Sequence, residues 1–268
     1  MLASVFVIFV LLFSAFANAQ EPDTIPLYQS FTIVSKQLNE TRVLNIFTPE
    51  SYENNSDTLP VLYMLDGGIK EDFPHIATTI DKLIKAKNIP PIILVGIENT
   101  QRRRDLTGLT LVDADKKIAP VVGQSQNFRN FIKEELFAEI NKRYRTTSIK
   151  AIIGESLAGL FIMETLLSDA DMFDYYIAMD PSLWWNNAAL VKSADAFHSN
   201  TFASPKKLWF AGSATKEIYV HTESLARIFK NKPIENLQYY YSPEPKEEHG
   251  TIFRATKEKA LIWTLGHP

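Results

Sequence analysis

Ser156 and His249 are the residues best placed to do chemistry. Ser156 stands in Gly154-Glu155-Ser156-Leu157-Ala158-Gly159, between a β-type apolar run (Ile149 to Ile153) and a helical run, LFIMETLL. A strand that turns sharply through a serine into a helix projects the hydroxyl above the sheet, and small flanking residues permit the turn. This is the pattern of a G-x-S-x-G nucleophile elbow, with Ala158 where the second glycine usually stands. A serine hydroxyl is a weak nucleophile at neutral pH, so the pattern demands a base and an acid to orient it. The chain order nucleophile, acid, histidine places both downstream. Of the histidines at 75, 198, 221, 249 and 267, the first precedes the serine and the last adjoins the C-terminus. His198 and His221 fall on helical stretches. His249, in Glu247-Glu248-His249-Gly250-Thr251 between the last β-run and the last helical run, is the expected base.

The expected acid is Glu217, the first carboxylate after the β-run KLWFA in Gly212-Ser213-Ala214-Thr215-Lys216-Glu217, with Glu223 and Asp180 as alternatives. Acyl transfer builds negative charge on a carbonyl oxygen, and backbone N–H groups stabilise it. One is expected from Leu157. A second is expected from Gly67 or Gly68 in the loop Asp66-Gly67-Gly68-Ile69, where missing side chains let amides approach a ligand. Two of the four tryptophans, Trp184 and Trp185, follow Asp180-Pro181-Ser182-Leu183 and suit an acyl or aryl pocket, core packing being the alternative. Arg102 and Arg104, in Gln101-Arg102-Arg103-Arg104-Asp105, are candidates for holding an anionic or catechol-bearing substrate, against the alternative of a solvated charge run.

These residues need a scaffold that brings loop ends together. Seven β-type runs recur: Arg42 to Thr48, Leu59 to Leu65, Ile92 to Ile97, Ile149 to Ile153, Tyr175 to Met179, Lys207 to Ala211 and Leu237 to Tyr241. Several are apolar throughout, as strands buried on both faces are. Helical spacing between them is clearest over Asn127 to Tyr144, and a last helix fits Ile252 to Leu265. An initial hairpin at about 31 to 48 followed by alternating strands and helices predicts an α/β fold with a mostly parallel, doubly wound sheet. In such a fold ligands meet the loops at the carboxyl ends of the strands, where every candidate above lies.

Composition excludes several other chemistries. There are 268 residues with 46% hydrophobic and 22% charged, as in a folded globular chain. A formal net charge of −3 gives no excess for holding nucleic acid. With no cysteine there is no disulfide, thiolate nucleophile or Cys-based metal site. Residues 2 to 16 form a nearly unbroken apolar run, and Ala17-Asn18-Ala19 follows in the small-x-small pattern of signal-peptidase cleavage, though no Lys or Arg precedes the run. The run is short for a membrane span. The expectation is a signal peptide over 1–19, one domain over 20–268, export to the periplasm or medium, and no membrane association after cleavage.

Leu62-Tyr63-Met64-Leu65-Asp66-Gly67, Asn99 to Asp105, Ile153 to Gly159, Asp180 to Trp185 and Glu248-His249-Gly250 together resemble the putative esterase family of α/β hydrolases. That family includes siderophore trilactone esterases, feruloyl and acetyl xylan esterases and S-formylglutathione hydrolase, and the resemblance covers most of residues 30 to 265. It implies an α/β-hydrolase fold, Ser156 as nucleophile, His249 as base, and hydrolysis of a small-molecule carboxylic ester without cofactor or metal. The subgroup it points to is the exported bacterial enzymes similar to siderophore esterases. Ala158 and the spacing of the acid in Gly212 to Glu217 depart from the family pattern. An acyltransferase or peptidase on the same residues, and a non-catalytic binding protein on a hydrolase scaffold, are the competing functions.

Overall fold

The computed structural model describes residues 25–118, 121–194 and 202–266; the expected signal peptide, His198 and His267 lie outside them. Eight strands form one sheet: β1 (Tyr28–Ser35), β2 (Glu40–Phe47), β3 (Leu59–Met64), β4 (Ile93–Ile97), β5 (Thr146–Glu155), β6 (Tyr175–Met179), β7 (Lys206–Ser213) and β8 (Leu237–Glu244). Their spatial order is β1-β2-β4-β3-β5-β6-β7-β8. The β1–β2 and β2–β4 pairs are antiparallel and the remaining pairs parallel, so the expected hairpin forms one edge of an otherwise parallel sheet. Asn39 makes the hairpin turn with φ 52°, a left-handed conformation that asparagine tolerates well.

The helices are α1 (Glu50–Asn54), α2 (Phe73–Lys85), α3 (Arg102–Leu106), α4 (Asp113–Ile118), α5 (Ser125–Asn130), α6 (Phe137–Arg143), α7 (Leu157–Ser168), α8 (Trp185–Ala194), α9 (Lys216–Asn231) and α10 (Ile252–Leu265). Side-chain alternation along the strands divides the core in two. In β3 and its extension, Val61, Tyr63 and Leu65 face the layer that holds α5 to α9, whereas Leu62 and Met64 face α2 and α10. Helix α7 is apolar around its whole circumference, and nearly all of it is buried between the sheet and its neighbours.

The helix expected over Asn127 to Tyr144 is α5 and α6 joined through a π-helical turn, Phe131–Leu136. That turn aims Glu135 at the β1–β2 connection, where its carboxylate accepts from Ser35 Oγ (2.6 Å) and the amides of Lys36 (2.9 Å) and Gln37 (3.1 Å). A widened turn keeps the same apolar side chains inward, so residue spacing does not reveal it.

Candidate active site

Ser156 occupies the turn between β5 and α7 with φ 61° and ψ −118°. A non-glycine residue there costs about 1–3 kcal/mol and persists only where its surroundings impose it. Three hydrogen bonds do so: Ser156 N–H donates to Met179 O (2.9 Å), and Ser156 O accepts from Leu160 N–H (2.9 Å) and Ser182 N–H (3.0 Å). The Ala158 departure is explained by its neighbour. A Cβ built on Gly154 would lie 2.6 Å from the Ala158 Cβ, so the glycine before the serine makes room for the methyl after it. Gly159 meets the end of β6, where a Cβ would stand 3.0 Å from Met179 O.

His249 reaches the elbow from the loop before α10. Its Nε2 lies 3.1 Å from Ser156 Oγ and its Nδ1 lies 2.6 Å from Asp180 Oδ2. The backbone of that loop is tied to the loop after β7 by His249 N–H to Thr215 Oγ1 (3.2 Å) and Ala214 N–H to Glu247 O (2.8 Å). The bond to Asp180 raises the pKa of His249 above 6.5, with burial opposing.

The acid beside the imidazole is therefore Asp180, not Glu217. Asp180 ends β6, fully buried, and takes Ser213 N–H on Oδ1 (2.6 Å) and Ser213 Oγ–H on Oδ2 (2.9 Å). Its φ of 46° is one that aspartate accepts at modest cost. Glu217 lies in the first turn of α9 and is exposed to solvent. Glu223 pairs with Arg227 on the outer face of the same helix at 3.4 Å. Both are downstream of Ser156, but the carboxylate that His249 meets among the described residues is Asp180.

The expected oxyanion donors divide likewise. Leu157 N–H belongs to the first turn of α7, where no carbonyl within the helix is available to it. The other two amides are engaged: Gly67 N–H donates to Ile97 O (2.9 Å) and Gly68 N–H to Glu71 Oε2 (2.7 Å). Gly67 is required by packing, since a Cβ would fall 2.3 Å from Ile97 N.

A cavity of about 220 Å³ opens at Ser156, walled by Leu157, Ser182, Trp184, Trp185, Arg102, Arg103 and, from the segment between α3 and α5, Asp115, Ile118 and Val122. Trp184 is half-buried, while Trp185 is buried and donates Nε1–H to Gly108 O (3.1 Å). Arg102 is at the wall, but Nε and Nη2 form a two-pronged pair with Asp66 (2.6 and 2.8 Å). Arg104 does not reach the cavity: buried, it pairs with Glu40 (2.6 Å) and Asp105 (2.7 Å). Arg103 and Asp115 are the charged wall residues that spacing alone did not distinguish. Ser182, whose Oγ lies 3.2 Å from Ser156 Oγ, was likewise hidden in the loop carrying the acid. Among the described residues no cluster of His, Asp or Glu could hold a metal ion, and no helix is long and apolar enough to cross a membrane.

A mostly parallel sheet covered on both faces, with a serine at the β5–α7 elbow, defines an α/β hydrolase. The chain belongs to the family described as "Putative esterase", whose model matches residues 35–248. It is 32% identical over 178 residues to the ferri-bacillibactin esterase BesA of Bacillus subtilis, covering 61% of this chain and 62% of that one. It is 34% identical over 164 residues to the siderophore triacetylfusarinine C esterase of Aspergillus fumigatus, covering 55% and 52% of the two chains. The matches thus span between half and two thirds of these relatives. Among solved structures, an IroE-like serine hydrolase from Shewanella oneidensis superposes with a TM-score of 0.81 at 27% identity, over 88% of this chain and 79% of that one.

Proposed function

We propose that this protein is a serine carboxylic ester hydrolase acting through Ser156, His249 and Asp180. The observation that carries the reading is the unbroken line Ser156 Oγ, His249 Nε2, His249 Nδ1, Asp180 Oδ2, with steps of 3.1 and 2.6 Å. His249 takes the hydroxyl proton as Ser156 Oγ attacks the ester carbonyl, and Asp180 stabilises the imidazolium. The tetrahedral oxygen is stabilised by Leu157 N–H. Collapse returns the proton to the leaving alcohol and leaves an acyl-serine; water, deprotonated by the same imidazole, then releases the acid.

The relatives named as siderophore esterases favour a siderophore-type or aryl ester as substrate, received by the cavity of Trp184, Trp185, Arg102 and Arg103. The apolar run over residues 2 to 16 and Ala17-Asn18-Ala19 support export with removal of residues 1–19. Hydrolysis of short-chain p-nitrophenyl esters by residues 20–268, compared with Ser156→Ala of verified fold, tests the enzyme. Activity confined to the wild type is expected. Absence of turnover together with failure of a fluorophosphonate to label Ser156 leaves a binding protein.

A further inference from the structure

One wall group of the cavity has no task in the reaction above. Asp115, on the segment that crosses from α3 to α5, is 6% exposed, and its two oxygens differ. Oδ2 is saturated, accepting from Thr110 Oγ1 (2.7 Å) and from Asn186 N–H (2.9 Å). Oδ1 has no partner among the described residues, yet it is not sealed away from solvent as the orphaned buried atoms of Arg42 and Glu155 are. An oxygen open to the cavity is hydrated until a ligand replaces the water, so Oδ1 is a free acceptor on the wall beside Ser156.

The same anchors fix where that oxygen sits. Asn186, Asn187 and Ala188 all hold left-handed backbone, with φ between 50° and 56°, immediately after the tryptophan pair. Asn186 Oδ1 in turn accepts Leu111 N–H at 3.1 Å. The left-handed turn and the crossing segment are therefore tied to one another through Asp115 and Asn186, on the wall that also carries Trp184. On the same wall Arg103 spends one nitrogen on Ile118 O and forms no ion pair with Asp115 within 4.0 Å, so its remaining donors also lie open.

We propose that Asp115 is a specificity-determining residue that accepts a hydrogen bond from a neutral hydroxyl on the acyl group of the ester. This rests on the esterase reading of Ser156. Arg102 is neutralised by Asp66, but the unpaired charge of Arg103 on the same wall disfavours an ammonium as the occupant, and Asp115 itself disfavours a carboxylate. A hydroxyl satisfies Oδ1 by donating and offers its own oxygen to Arg103. Trp184 supplies a flat surface for a planar acyl group, and a volume of about 220 Å³ admits one ring with its substituents.

The test is the ratio of kcat/KM for p-nitrophenyl hydroxybenzoates to that for the matching methoxybenzoates, with the 2-, 3- and 4-isomers compared separately. The methyl ether keeps shape and ring but cannot donate. The wild type is expected to favour at least one hydroxy isomer about tenfold or more, as for a hydrogen bond to a charged acceptor. In Asp115→Asn, where the amide keeps an oxygen for Thr110 and Asn186 and turns its NH2 to the cavity, that ratio falls toward one, whatever the absolute rates. A ratio retained in Asp115→Asn, or no preference in the wild type, overturns the proposal. If Asp115→Asn does not fold, calorimetry on Ser156→Ala with hydroxybenzamides against methoxybenzamides decides instead, equal affinities overturning it. A wild type inactive on every ester refutes the esterase reading, and the benzamide titration still reports on Asp115.

Discussion

The division between Asp180 and Glu217 makes a sharp prediction at single residues. Asp180→Asn leaves the packing intact but presents the imidazole with an amide able to donate, which favours the wrong tautomer; kcat falls by about 10³ to 10⁴. Glu217→Gln, in solvent at the start of α9, leaves kcat within about twofold, and steady-state assays on one ester check both. Protonation gives a second expectation. Because Asp180 raises the pKa of His249 and the base must be neutral, kcat/KM falls on acidification with a midpoint above pH 6.5, which a pH–rate profile measures. Glu155, beside the nucleophile, shows the converse effect. Burial pushes its carboxyl up to about 8 from an ordinary 4.5, with the charges of Asp72, Asp180 and Asp66 adding to the rise. Between those pH values the folded protein holds a proton that the unfolded chain releases, so this group's contribution to stability declines as pH rises from about 4.5 to 8. Glu155→Gln removes that dependence. Its Tm should match the wild type near pH 4.5 and exceed it by several degrees, about 2 kcal/mol, at pH 8 in paired thermal scans. A gap constant with pH would refute it.

At the scale of elements, the parts legible in the sequence are those whose signal is local. The elbow is one contiguous run, β6 matches its apolar run Tyr175–Met179 end for end, and α10 matches the expected Ile252–Leu265. The acid was hidden because its choice depends on which strand ends are neighbours. Asp180 and Glu217 both follow strands, and only the β6–β7 pairing shows that the two Ser213 donors receive one of them. The arginine run was hidden for a related reason: successive residues of a helix point about 100° apart, so on α3 Arg102 and Arg103 face the cavity while Arg104 turns to the core. The elbow's own fit is testable. Gly154→Ala sets two Cβ atoms 2.6 Å apart and should destabilise the protein by about 1–3 kcal/mol, read from the urea midpoint. If the clash is the cause, adding Ala158→Gly should restore most of the loss.

For the molecule as a whole, α3 is the joint between the catalytic edge and the antiparallel edge of the sheet. Asp105 is 1% exposed and pairs with both Arg42 of β2 and Arg104, while Glu40 bridges the same two arginines at 2.5 and 2.6 Å. Arg42 is itself buried at 1% exposure, its guanidinium stacked over Phe128. Two buried cations with two carboxylates make a balanced set, and removing one member strands a charge that water cannot reach. Asp105→Ala should therefore cost about 3 kcal/mol or more of unfolding free energy, measured by urea denaturation, even though it touches no substrate. The neighbouring arginines should separate stability from binding. Arg104→Ala lowers the unfolding free energy and leaves KM for aryl esters within about twofold, while Arg103→Ala raises KM and leaves the unfolding free energy within about 0.5 kcal/mol. Were Arg104→Ala to raise KM as strongly as Arg103→Ala, α3 would be acting on the cavity as one unit, and the assignment of one arginine to the core and the other to the substrate would fail.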